Sequence, residues 1–348
     1  MRKKFWIRGT LFVCIAALLL FAISPVFVYR NAATNRIDYM LHSEEKPEVK
    51  VGFFGGSHAY NAFAPSVLWE NNSIKAYNFS SSGQPIYLTY HFMVELLKTT
   101  KLDVAVIDLY YMGSTDEYFN QEDYLRQVID STSFSRNKIE MINACISPLR
   151  RPLFYFPLVR FHARWNELTE ADYGKITYTE ENYLLGWGPS DMIHGKDYEN
   201  YGSCDSSAEI PEKSLTYLYK IIELARENDI ELVFTSLPHD QVKDFEAWVE
   251  DLRGMMNSVE EIAKDEGIPF IQFMDVLGEM DFDPKADMAN RGHVNWSGGY
   301  KTSTYIGNYL AENYPELVDK NPTDKAQWDS RAEDLEKYMK SMETKKLS

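Results

Sequence analysis

Apolar residues fall into three patterns along this chain. Gly9 to Tyr29 is a stretch of 21 residues without a charge, closed by Arg30. Lys50–Phe54, Ile74–Phe79, Asp103–Leu109, Glu231–Leu237 and Pro269–Phe273 are short apolar runs, the signature of strands covered on both faces. Between them, Tyr87–Lys98, Pro211–Asn228, Phe245–Glu266 and Ser297–Asn313 carry apolar residues at helical spacing, with Ser297 a candidate N-cap, and a short helix starts at Pro65 to Glu70. In order, these give strand-loop-helix, strand-loop-helix, strand, and then the same rhythm again. That rhythm predicts an α/β fold with a parallel central sheet and crossover helices.

The rhythm also sets the expected organisation. Residues 1–30 form a cytoplasmic tip and a transmembrane anchor, 31–48 a polar tether, and 49–314 a single α/β domain. Within it, 113–210 is rich in Tyr, Asp and Arg and reads as an insertion over the C-terminal edge of the sheet, where loops carry function. Residues 315–348 form a charged helical tail with Trp328, Leu335, Tyr338 and Met342 near heptad spacing. Such a stripe suits either a solvated amphipathic helix or docking to a membrane partner.

The uncharged span is long enough to cross a bilayer as a helix, and Arg2, Lys3, Lys4 and Arg8 before it keep the N-terminus cytoplasmic. Ala22-Ile23-Ser24 resembles a cleavage site, but Pro25 directly after it disfavours cleavage, so an uncleaved anchor is expected. The rest of the chain is then extracellular. Five of the 36 basic residues, and none of the 52 acidic ones, lie in the first thirty positions. The exported remainder holds 31 basic against 52 acidic residues, which argues against binding nucleic acid by charge. Anionic partners would need a local patch, such as Arg150, Arg151, Arg160 and Arg164. Cys145 and Cys204 can pair in an oxidising compartment or stand as separate buried thiols. No metal-ligand spacing occurs, and no cofactor is implied.

Two separated stretches carry candidate chemistry. Val51-Gly52-Phe53-Phe54-Gly55-Gly56-Ser57-His58 is a strand that breaks at two glycines and delivers a serine. Asp287 to Gly299 is a polar, glycine-flanked loop holding Asn290, His293 and Asn295. A nucleophilic serine needs exposure at a strand end, a base, and donors for the developing oxyanion. The glycine turn supplies the first, His293 the second, and the backbone N–H groups of Ser57 and Gly83 the third. Each residue also has a plainer reading, Ser57 as a helix cap and His293 as an idle loop histidine. His58 either caps the following turn or orients substrate. His162, with Arg164 and Trp165, forms either a wall for a carboxylate- or phosphate-bearing substrate or an arginine packed on an aromatic face. His91 sits on a predicted core helix and reads as structural. The 14% aromatic content suits packing or a sugar- or lipid-binding surface.

Taken together, Gly55-Gly56-Ser57-His58, the loop from Asn78 to Pro85, Phe156-Pro157 through His162-Ala163-Arg164-Trp165, the helix after Ile210-Pro211, and His293-Val294-Asn295-Trp296-Ser297-Gly298 resemble the SGNH (GDSL-type) hydrolase superfamily. The likeness is to membrane-anchored bacterial proteins of lipoteichoic-acid D-alanylation and alginate O-acetylation, and it covers most of residues 50–313. It implies a flavodoxin-like α/β/α sandwich with Ser57 as nucleophile and His293 as base. It also implies an oxyanion hole from the Ser57 and Gly83 backbone; Asn78, His162 and Arg164 are further candidates for oxyanion or substrate binding. The activity implied is O-acyl transfer or ester hydrolysis on a cell-surface glycopolymer, with a membrane-bound O-acyltransferase as partner. Two positions depart from the pattern. Asn290 stands where an Asp precedes the catalytic histidine by three residues, which leaves Asp287, a Ser-His dyad or a degenerate site as the possibilities. Asp108 stands where the superfamily has an oxyanion-binding Asn, and a carboxylate there would repel an oxyanion.

Overall fold

The computed structural model describes residues 2–114, 117–173, 184–199, 206–240 and 249–347. Five parallel strands make one sheet: β1 (Val51–Phe54), β2 (Ala76–Asn78), β3 (Val104–Asp108), β4 (Glu231–Ser236) and β5 (Phe270–Gln272), in the spatial order β2-β1-β3-β4-β5. Register pairs Val51 with both Ala76 and Val104, Val104 with Glu231, and Phe234 with Phe270. Each predicted strand is found, trimmed by one to three residues.

The strand centres are apolar on both sides because both faces are covered, with polar residues such as Asn78, Asp108, Glu231 and Gln272 confined to strand ends. Phe54, Ala105, Ile107, Leu232 and Phe234 point into one core, Val51, Phe53, Val104, Val106 and Val233 into the other. The first core is closed by α2 (Ala32–His42), α5 (Ile86–Leu96), α6 (Glu122–Ile129), α7 (Arg136–Cys145), α8 (Glu212–Glu227) and α9 (Val249–Glu266). The second is closed by α3 (Ser57–Ala62), α4 (Pro65–Asn72) and α10 (Trp296–Asn313). Helix α1 (Arg2–Ile23) is separate from both. Within residues 4–27 an 18-residue window has mean hydropathy 2.5 and is almost wholly exposed, so the molecule carries one N-terminal apolar helix of membrane-crossing length.

Three expectations need correction. Residues 31–48 are not a tether: α2 buries Ile37, Tyr39, Met40 and Leu41, and its Arg36 is 4% exposed. The guanidinium donates to the carbonyls of Asn78 (2.9 Å), Ser80 (2.7 Å) and Gly186 (2.7 Å), which join the loop after β2 to a distant segment. The tail does not await a membrane partner. Its helix, α11 (Lys325–Leu347), buries Trp328, Leu335 and Met342, and it packs on α4 and on Trp187 and Trp296. At about 1.5–3 kcal/mol per buried large side chain, that stripe is a seam of the molecule itself. Finally, α10 is capped by Asn295, whose Oδ1 accepts from the N–H groups of Ser297 (2.9 Å) and Gly298 (3.2 Å), two residues before the expected cap.

The insertion does more than cover an edge. Helix α7 packs on α5, while Arg151–Tyr155 and Pro157–Phe161 are short helices running back to the end of the apolar helix. Cys145 is buried in α7, whereas Cys204 and the 245–248 start expected for α9 lie outside the described residues.

Candidate active site

From β1 the chain crosses to β2 on one side and then to β3 on the other. The crevice at the carboxyl ends of β1 and β3 is therefore the switch point, where open α/β sheets bind ligands. Ser57 opens α3 there, immediately after β1. Its N–H is a first-turn donor with no partner inside the helix. Gly55 makes the turn possible: its φ is +153°, and a Cβ would lie 2.9 Å from Cβ of Asp108.

The loop carrying Gly83 is fixed to this turn. Phe79 N–H donates to Phe53 O (2.8 Å) and Ser81 N–H to Gly55 O (3.3 Å), while the Ser81 hydroxyl donates to Gln84 Oε1 (2.7 Å). Gly83 has a left-handed φ of +55°, and any side chain there would collide with Phe119 and Tyr124. Asn78 is turned away from the cavity. Fully buried, its amide donates to Ala59 O (2.9 Å) and Phe63 O (2.8 Å) and its oxygen accepts from Ser80 N–H, so it pins α3 to β2 rather than meeting a substrate.

The histidine comes from the loop between the 284–287 turn and α10. Met288 bridges Val294 and Ala289 N–H donates to His293 O (2.8 Å), forming a tight hairpin-like excursion. His293 Nε2 lies 2.7 Å from Ser57 Oγ, across 236 residues of sequence. Its Nδ1 lies 3.0 Å from Asn290 Oδ1. That same oxygen accepts the N–H groups of Gly292 (2.9 Å) and His293 (3.0 Å). Two backbone donors therefore fix which way the Asn290 amide points, and Nδ1 must carry the hydrogen. The tautomer left at Nε2 is the one that accepts a proton from Ser57.

Asp287, the alternative orienting residue, is elsewhere. Its carboxylate accepts from Asp283 N–H (2.8 Å), the Ser297 hydroxyl (2.7 Å) and Lys301 Nζ (2.8 Å), all on the α10 side. His162 is exposed and turned to Val159 O, and Arg164 donates to Phe27 O (2.9 Å), Val28 O (2.6 Å) and Asp172 (2.8 Å). Neither lines the cavity: Arg164 fastens the insertion near the end of the apolar helix, and His162 is an exposed side chain bonded within the insertion.

The cavity beside Ser57 holds about 230 Å³. Besides Ser57, Gly83, Asn290 and His293 it is lined by His58, Tyr110, Tyr111, Tyr124, His239 and Arg291. Tyr110, Tyr111 and Arg291 were missed in sequence, although the two tyrosines directly follow β3, where the strand-end rule points. His58 is buried between two rings, stacked on Tyr110 (centroids 3.5 Å apart) and on His293 (4.4 Å). Burial first, then His293 and His239, holds its pKa well below the usual histidine range. Burial lowers His293 to about 4. At neutral pH both rings are therefore uncharged, and His293 is free to take a proton.

Asp108 ends β3 beneath the turn and is 6% exposed. Among the described residues no donor meets its carboxyl oxygens in full hydrogen-bond geometry, and the nearby N–H groups of Tyr110, Leu237 and Leu109 only partly offset burial, which raises it to about 7. Below pH 7 Asp108 is neutral, and its repulsion of a nearby oxyanion is then removed. A pH profile follows. Ester turnover (kcat/KM) should rise as His293 loses its proton near pH 4 and fall as Asp108 ionises near pH 7. Asp108→Asn should remove only the alkaline limb; a limb unchanged in that variant would assign it to another group.

A scan of family models gives no match to this sequence, and neither does a search of curated proteins.

Proposed function

We propose that this chain is a membrane-anchored extracellular O-acyltransferase or esterase of the SGNH type, with a flavodoxin-like sandwich, acting on a cell-surface glycopolymer. The observation that carries the reading is the relay of Ser57, His293 and Asn290 at the sheet's switch point, with its productive tautomer held by backbone. The sheet order is the flavodoxin-like one, which supports the fold half of the resemblance. The apolar helix and the acidic remainder support an anchored domain that handles uncharged hydroxyl acceptors.

In this mechanism Ser57 Oγ attacks the acyl carbonyl while His293 Nε2 accepts its proton. The N–H groups of Ser57 and Gly83 receive the oxyanion. The carbon–oxygen bond to the leaving alcohol then breaks as the imidazolium returns its proton to that oxygen. An acceptor hydroxyl, from a sugar or water, repeats the sequence on the acyl-serine. A membrane-bound O-acyltransferase is the partner proposed to supply acyl groups.

A second reading, a polymer-binding scaffold on an enzyme's frame, is favoured by one fact: among the described residues an amide, that of Asn290, and not a carboxylate meets His293 Nδ1. A fluorophosphonate probe on the full chain in detergent separates the two. Labelling that disappears in Ser57→Ala supports the enzyme, whereas a folded chain that never labels supports the scaffold.

A further inference from the structure

Several large apolar side chains outside the cavity lie open to solvent in one neighbourhood. Phe134 is 56% exposed, Phe156 47%, Val159 55% and Trp165 72%. They come from different parts of the insertion, yet the elements that carry them all attach to the end of the apolar helix. Phe134 stacks edge-on against Phe21, with centroids 5.0 Å apart. Leu158 N–H donates to Ser24 Oγ (2.9 Å), and the short helix 157–161 packs along residues 24–27. Arg164, beside Trp165, holds the carbonyls of Phe27 and Val28 and lies over the exposed ring of Tyr29 (5.4 Å).

We propose that this part of the insertion is a membrane-interface surface, with Phe134, Phe156, Val159 and Trp165 seated among phospholipid headgroups beside the anchor. The proposal rests on the reading of α1 as a membrane span. Its occupant is set by continuity: the surface is bonded to the last turns of the helix that would leave the bilayer. Aromatic side chains at that depth suit the headgroup layer, where one edge is apolar and the other wet.

Helix α6 packs between the segment that carries this surface and the cavity wall. Arg126 stacks on Phe154 (4.0 Å) and Phe161 (4.8 Å) and binds Glu122 (2.7 Å) and Asp130 (3.0 Å). Glu122 also receives Arg150 and Arg160, and Tyr124, two residues on, lines the cavity.

Photo-crosslinking in the full chain tests this. Benzoylphenylalanine is placed singly at Phe134, Phe156, Val159 and Trp165, at Phe12 inside the apolar helix, and at Tyr219 on α8. The protein is reconstituted in vesicles of phosphatidylcholine and phosphatidylglycerol and irradiated, and phospholipid adducts are read by mass spectrometry. The expected result is adducts at Phe12 and at the four surface positions, with none at Tyr219. Adducts at Phe12 but at none of the four would overturn the surface and leave the anchor standing. No adduct at Phe12 would remove the anchor, and this proposal with it.

Discussion

His293→Ala is expected to reduce turnover of an activated ester by about 10³-fold or more, because Ser57 then has no base. The more informative change is Asn290→Asp. In a serine protease triad, an Asn in the orienting position costs about 10⁴ in rate by leaving the wrong tautomer at the base. Here the Gly292 and His293 N–H groups hold Oδ1 toward Nδ1, so that penalty is absent. What the amide lacks is charge. A carboxylate 3 Å from the ring typically raises a histidine pKa by 1–3 units, so Asn290→Asp should raise turnover about 10- to 100-fold at neutral pH. The acid limb should move upward from about 4 at the same time, since the imidazolium is then stabilised. A gain near 10⁴ would mean that the wild-type amide is flipped in solution. No gain, with the acid limb unmoved, would mean that Asn290 does not touch the working base.

Arg36→Met is expected to destabilise the fold by about 3–5 kcal/mol, read as a lower Tm of the full chain in detergent. The substitution keeps the apolar stem and deletes a charged donor that serves three carbonyls buried beneath α2. Leaving such acceptors without partners costs about 1–3 kcal/mol each before relaxation. Arg36→Lys should recover only part, because one ammonium cannot reproduce the flat fork that reaches Asn78, Ser80 and Gly186 together. An unchanged Tm in Arg36→Met would mean that the three carbonyls do not depend on this guanidinium and that α2 is held by its apolar residues alone.

The parts legible in sequence and the parts that were not differ for a physical reason. Parallel strands buried on both faces need apolar centres without alternation, so five short runs marked five strands. Helix α2 hid because its key residue is an arginine, which reads as surface until its acceptors, up to 150 residues away, are known. The stripe of α11 was visible, but its partner was not: a heptad pattern says that a face will be covered and never by what. At the site, the meeting of Ser57 and His293 followed from strand-end placement. The Asn290 amide could not be oriented from letters, since two backbone N–H groups decide its direction. Arg164 and Asn78 misled for a related reason, as polar side chains that bond main-chain carbonyls look from sequence like polar side chains that bond ligands.

The reach of Arg36 also sets an order of assembly. A chain made from its N-terminus presents α2 early, but Gly186, one of the three carbonyls that complete it, follows 150 residues later. Until then the guanidinium has the Tyr60 ring (4.9 Å), the loop after β2 and water. Closing that contact is a long-range step of the kind that slows folding. The junction between the apolar helix and the sheet is therefore expected to lock late, once the chain as far as Gly186 is in place.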